Sequence, residues 1–162
     1  MDVREEVAAD RDAVRTVIEA AFGGTAEAGL VDALRRDGDV EISLVAVDGD
    51  AVVGHILLSR MTAPVRALGL APVSVMPNRQ GRGVGSRLIE DGLTQAKARG
   101  WEAVFVLGEP DYYSRFGFRT DSAEVFASPF AGPYFMAREL VDGALEGRHG
   151  DVGYAPAFDA LE

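Results

Sequence analysis

The stretch from Val75 to Ser86 constrains the fold more than any other part of this 162-residue chain. A β-type run from Leu68 to Val75 enters it, and an amphipathic helical pattern from Val84 to Arg99 leaves it. Between them Gly81, Gly83 and Gly85 stand at alternate positions, flanked by Arg79, Gln80 and Arg82. That order predicts a strand, a tight loop with unbonded N–H groups, and the positive end of a helix. Such a unit receives a phosphate or pyrophosphate.

The elements around it follow from periodicity. Asp2 to Glu6 reads as a short strand. Asp10 is placed to cap a helix whose buried face is Val14, Val17, Ile18, Ala21 and Phe22, ended by Gly23-Gly24. Thr25 can cap a second helix facing inward through Leu30, Val31 and Leu34, with Glu27 on the same side. Ile42 to Val47 and Ala51 to Ser59 read as strands joined by an Asp48-Gly49-Asp50 hairpin turn. In the second strand Val53, His55, Leu57 and Ser59 alternate with Val52, Gly54, Ile56 and Leu58, and both faces are largely apolar. This predicts a central strand covered on two sides.

Ala67 to Val75 is the next strand, and Pro72 predicts a bulge or a parting of neighbours there. Ala103 to Leu107 follows the helix as a buried strand, hence parallel to the one before it. A helical turn from Tyr112 to Phe116, a strand near Arg119 to Val125 and a strand from Tyr134 to Leu140 complete the pattern. The segment 141–162 reads as an irregular wrap anchored by Val152, Tyr154 and Phe158. With no repeat or linker in view, residues 1–162 are expected to form one domain with its core over about 1–140.

Charge and composition narrow the partners. The net charge of −10 opposes general nucleic-acid binding. Residues 76–100 nevertheless carry a local +3, so the rest of the chain carries −13. The absence of cysteine excludes a disulfide framework, a thiolate zinc site and a cysteine nucleophile; no metal is expected. No apolar run approaches the roughly 18 residues that span a bilayer. The acidic, polar N-terminus is unlike a signal peptide, so the expected location is cytoplasmic.

Two nucleotide loops fail at residues 77–86. A Walker A loop requires a lysine, and none is present; a dinucleotide fingerprint requires a different third small residue and a place in the first βα turn. The arrangement Gln80-x-x-Gly83-x-Gly85 after Val73-x-Val75-x-Pro77 instead resembles motif A of the GNAT (Gcn5-related N-acetyltransferase) superfamily. Tyr113-Ser114-Arg115-Phe116-Gly117-Phe118 resembles the later Tyr-x-x-x-Gly-Phe motif of that family. The chain is especially similar to a bacterial branch with a Tyr-Tyr-x-Arg-Phe-Gly-Phe segment.

The resemblance implies an α+β fold: a mostly antiparallel central sheet with a splayed parallel pair, the fourth and fifth strands, and helices on both faces. It implies acetyl-CoA as co-substrate. Gln80, Gly81, Arg82, Gly83, Val84, Gly85 and Ser86 would hold its pyrophosphate, while Val73, Ser74 and Val75 would hold the pantetheine. Tyr113 would act as general acid while a primary amine attacks directly in a ternary complex. The segment from Gly108 to Asp111 is shorter than in many members of the family, which often place an asparagine there.

The family often draws its base from a glutamate on the fourth strand, but Ala67 to Val75 holds no carboxylate or histidine. Glu27 is the substitute as base or acceptor contact, against the competing reading of a first-turn carboxylate serving its helix dipole. His55 reads more simply as a core histidine, and Glu109 and Asp111 as turn residues. The amine could be small or peptidic. Phe126 to Phe135 offers either an acceptor wall or a homodimer interface. A non-catalytic acyl-CoA-sensing module would need the same glycines and no Tyr113.

Overall fold

The computed structural model describes Met1 to Leu161. Its frame is a six-stranded sheet made of β1 (Asp2–Glu5), β2 (Val40–Asp48), β3 (Ala51–Arg60), β4 (Ala67–Val75), β5 (Ala103–Leu107) and, past a two-residue strand β6 (Phe126–Ala127), β7 (Phe135–Glu139). These lie in the order β1-β2-β3-β4-β5-β7, antiparallel except for β4 and β5. β6 pairs with β8 (Gly150–Asp151) in a separate ribbon. This is the expected mixed architecture.

Helices α1 (Arg11–Phe22) and α2 (Ala26–Asp37) cover one face of the sheet, and α3 (Val84–Ala98) covers the other. Ile56 and Leu58 of β3 pack with Leu88 and Leu93 of α3, while Leu57 packs with Val14, Ile18 and Val31 of α1 and α2. Burial of each such leucine contributes about 2 kcal/mol. The alternation fails at the start of β3, where Val53 joins the α3 side and Val52 the other. A register shift between Ala46 and Val47 of β2 inserts an extra β3 residue there.

Three local expectations change. Asp10 and Thr25 stand at the N-caps of α1 and α2 without a side-chain cap bond. Asp10 instead accepts from the Val7 N–H at 2.8 Å and from Arg4 at 2.7 and 3.0 Å. Phe22 leaves the buried face of α1, being 46% exposed at the helix end. The strand expected near Arg119 to Val125 is a short helix, α5 (Thr120–Ala123), and Arg119 alone makes a bridge, to Ala137. Ala123 and Phe126 are buried there, whereas Val125 is 54% exposed, so strand alternation does not apply.

The feature that shapes the site is the parting of β4 from β5. They pair only over Ala67–Gly69 against Ala103–Phe105. Beyond Gly69 the β3–β4 register shifts between Ile56 and Leu58, and the Ala71–Pro72 bond is cis. Val73 to Val75 stays paired with β3 on one edge and has no β5 partner on the other.

Candidate active site

The gap between the parted strands ends at the glycine loop. Gly81 and Gly83 have φ of 76° and 84°, conformations that a Cβ disfavours. Gly83 is the N-cap of α3, and the first helical bond runs from the Arg87 N–H to its carbonyl. The N–H groups from Gly81 to Ser86 have no protein acceptor among the described residues. The Gln80 side-chain amide donates to the Val75 carbonyl at 3.1 Å, folding the loop back onto the end of β4.

All of the residues from Gly81 to Ser86 except Arg82 border a cavity of about 380 Å³, lined also by Val75, Arg79, Gln80, Tyr112 and Arg115. An anion there would meet several N–H donors and the positive end of a 15-residue helix. Arg79 is engaged by Asp48 of the β2–β3 turn, which lowers the Asp48 pKa through that hydrogen bond. The structure does not place Arg82, Val73 or Ser74 on the cavity wall. Arg82 is exposed, and the Ser74 side chain is buried.

Tyr112 and Arg115 line this cavity in addition to the residues expected from the sequence. The short helix α4 (Pro110–Tyr113) begins at Pro110 and turns the two neighbouring tyrosines in different directions. Tyr112 faces the glycine loop, with the Arg115 guanidinium 4.9 Å above its ring centroid. Tyr113 points back towards the strands. A Cβ built on Gly108, just past β5, would lie 2.4 Å from Cε2 of Tyr113, so glycine alone admits the ring there. Phe118 meets that ring edge-on at 5.8 Å. Burial, helped by Tyr112, pushes the Tyr113 phenol up to about 12, so it keeps its proton at neutral pH.

His55 is fully buried on β3 within a polar chain. Arg35 donates to Glu6 at 2.5 and 2.7 Å, Ser43 Oγ lies 2.7 Å from Glu6 Oε1, and His55 Nε2 lies 2.8 Å from Ser43 Oγ. An ionised carboxylate only accepts, so Ser43 donates to Glu6 and His55 Nε2–H donates to Ser43. Nδ1 is left as a lone pair without a partner, beside its cross-strand neighbour Ser74, whose hydroxyl is also unpartnered. Desolvation, with Arg35 adding to it, holds the His55 pKa down to about 3. Glu27, in the first turn of α2, has Oε2 buried without a hydrogen-bond partner; it does not line the cavity.

Among the described residues no helix is long and apolar enough to cross a membrane. A family model described as "Acetyltransferase (GNAT) domain" matches residues 2–120. The uncharacterized N-acetyltransferase YhbS of Escherichia coli is 32% identical over 98% of this chain and 99% of its own length. Its structure in complex with CoA superposes with a TM-score of 0.93 over 99% of this chain and 93% of that one. A GNAT family acetyltransferase from Brucella melitensis, in complex with acetyl-CoA, is 36% identical with a TM-score of 0.83 over 98% and 97% of the two chains. The parted strands, the unbonded N–H rim and these relatives converge, and the chain belongs to the GNAT acetyltransferase family.

Proposed function

We propose that this protein moves an acetyl group from acetyl-CoA to a primary amine by direct attack in a ternary complex. The observation that carries the reading is the parting of β4 from β5, with three features set along it. One end is the N–H rim of Gly81 to Ser86, the side is the unpaired edge of Val73 to Val75, and Tyr113 packs at Gly108, where β5 ends.

Bound acetyl-CoA would supply an activated acyl group whose thioester carbon takes the amine nitrogen as the carbon–sulfur bond breaks. The loop N–H groups and the start of α3 fit its pyrophosphate, and Arg115 and Tyr112 close that cavity from above. The backbone of Val73 to Val75 offers strand-like hydrogen bonds to the pantetheine amides. Tyr113 donates a hydrogen bond to the leaving sulfur. Its pKa of about 12 exceeds that of a thiol near 8.5, so the phenol stabilises the thiolate while retaining most of its proton. Glu27, carrying a buried unpartnered oxygen, is the carboxylate proposed to receive the amine or its proton. With no cysteine in the chain, acyl transfer through an enzyme thioester is excluded.

Calorimetry with acetyl-CoA, followed by thiol release with a panel of primary amines, tests this reading. Binding together with amine-dependent thiol release is expected. Binding without transfer to any amine would reassign the site to acyl-CoA sensing, and no binding would overturn both.

A further inference from the structure

The family match ends at residue 120, yet the C-terminal segment reaches the place where β4 and β5 part. Thr62 and Gly153 exchange two backbone hydrogen bonds of 2.9 Å, fixing the chain just before Tyr154. A Cβ on Gly69 would lie 2.6 Å from both Cδ1 and Cε1 of Tyr154, so the ring lies against that glycine. Gly69 is the last β4 residue paired with β5. Its neighbours Leu68 and Leu70 point to the α3 side, which places Tyr154 on the opposite, α1/α2 side.

Two glycines, Gly69 on β4 and Gly108 past the end of β5, thus each admit a tyrosine ring where a side chain would stand. Tyr113 belongs to the cluster on the α3 side and Tyr154 to that on the other. Phe130 and Phe158, with centroids 5.5 and 5.0 Å away, hold the Tyr154 ring. Neither phenol oxygen has a protein hydrogen-bond partner among the described residues, and neither belongs to the fully enclosed unpartnered atoms, so each can meet a ligand. Burial raises the Tyr154 pKa, with a smaller contribution from Tyr113.

We propose that Tyr154 is a second tyrosine of the acyl-transfer site, its hydroxyl accepting a hydrogen bond from the incoming amine on the α1/α2 side of the gap. The assignment rests on the acetyl-transfer reading above. Tyr113 then serves the leaving sulfur from one side of the sheet, and Tyr154 orients the amine from the other. Residues past 120 are part of the reaction site.

The full chain carrying ring-13C-labelled tyrosine, its four signals assigned through single Tyr→Phe variants, is titrated with CoA together with n-butylamine, a pair that cannot turn over. Signals of both Tyr113 and Tyr154 are expected to move, while that of exposed Tyr134 stays. A Tyr154 signal unmoved beside a shifted Tyr113 overturns this proposal alone. Both unmoved despite measurable binding heat overturns the location of the transfer site itself. In transfer to n-butylamine, Tyr154→Phe keeps the ring on Gly69 and is expected to lower kcat/KM for the amine about tenfold, mainly through KM. Acetyl-CoA affinity and thermal midpoint should match the parent. Unchanged amine kinetics would remove the hydroxyl from the site.

Discussion

The hydroxyl of Tyr112 reaches to within 3.3 Å of the position a Cβ would take on Gly85. That proximity makes the second residue of α3 a meeting point for the glycine loop and the tyrosine-bearing turn. Gly85→Ala would push Tyr112 outward and narrow the cavity. Acetyl-CoA affinity measured by calorimetry is expected to fall about tenfold, a loss of about 1.4 kcal/mol, while the thermal midpoint changes little.

Tyr113→Phe keeps the ring against Gly108 and Phe118 and removes only the phenolic hydroxyl. Turnover is expected to drop at least about tenfold with acetyl-CoA affinity retained. Steady-state kinetics alongside calorimetry would show it; near-normal kcat would take Tyr113 out of the reaction.

His55 gives the fold a pH dependence of known sign. Its pKa is held to about 3 in the folded chain, below the value of about 6.5 of an unfolded histidine. Between these values the unfolded chain binds the proton and the folded chain does not, so stability is full above about pH 6.5 and is lost as pH falls towards 3. His55→Gln can keep a hydrogen bond to Ser43 without titrating. Urea titrations from pH 7 to 4.5 should show a shallower decline for the variant, by about 1 kcal/mol per pH unit.

A methyl group on Gly54 would meet Val84 Cγ1 at 2.9 Å, Leu88 Cδ1 at 3.0 Å and the Ser74 carbonyl at 3.3 Å. Here β3 comes close to the first turns of α3, which the loop depends on. Gly54→Ala is expected to destabilise the chain by about 1–3 kcal/mol. Thermal unfolding would report this as a midpoint lowered by about 2–4 °C per kcal/mol.

The parts legible in the sequence are those governed by neighbouring residues. Alternating glycines between a strand and a helix locate the loop, and Pro72 marks the irregularity in β4. The direction of Tyr112 was hidden because two adjacent tyrosines in a four-residue helix look alike until the loop they face is in place. The segment after Arg119 read as a strand on its apolar residues, although Thr120 to Ala123 coils and buries only Ala123. Tyr154 was visible as an anchor. Its station over Gly69 depends on the Thr62–Gly153 bridge, a contact between distant segments that no local periodicity encodes.

Most sheets keep their unpaired backbone at the outer rim, where any exposed strand can add to it. Here Val73 to Val75 carries an unpaired edge in the middle of the sheet, walled by β5 and by the turn that bears Tyr113. The free donors and acceptors of β4 therefore face a neighbouring strand and not open solvent, so whatever completes them is added inside the sheet and not at its rim.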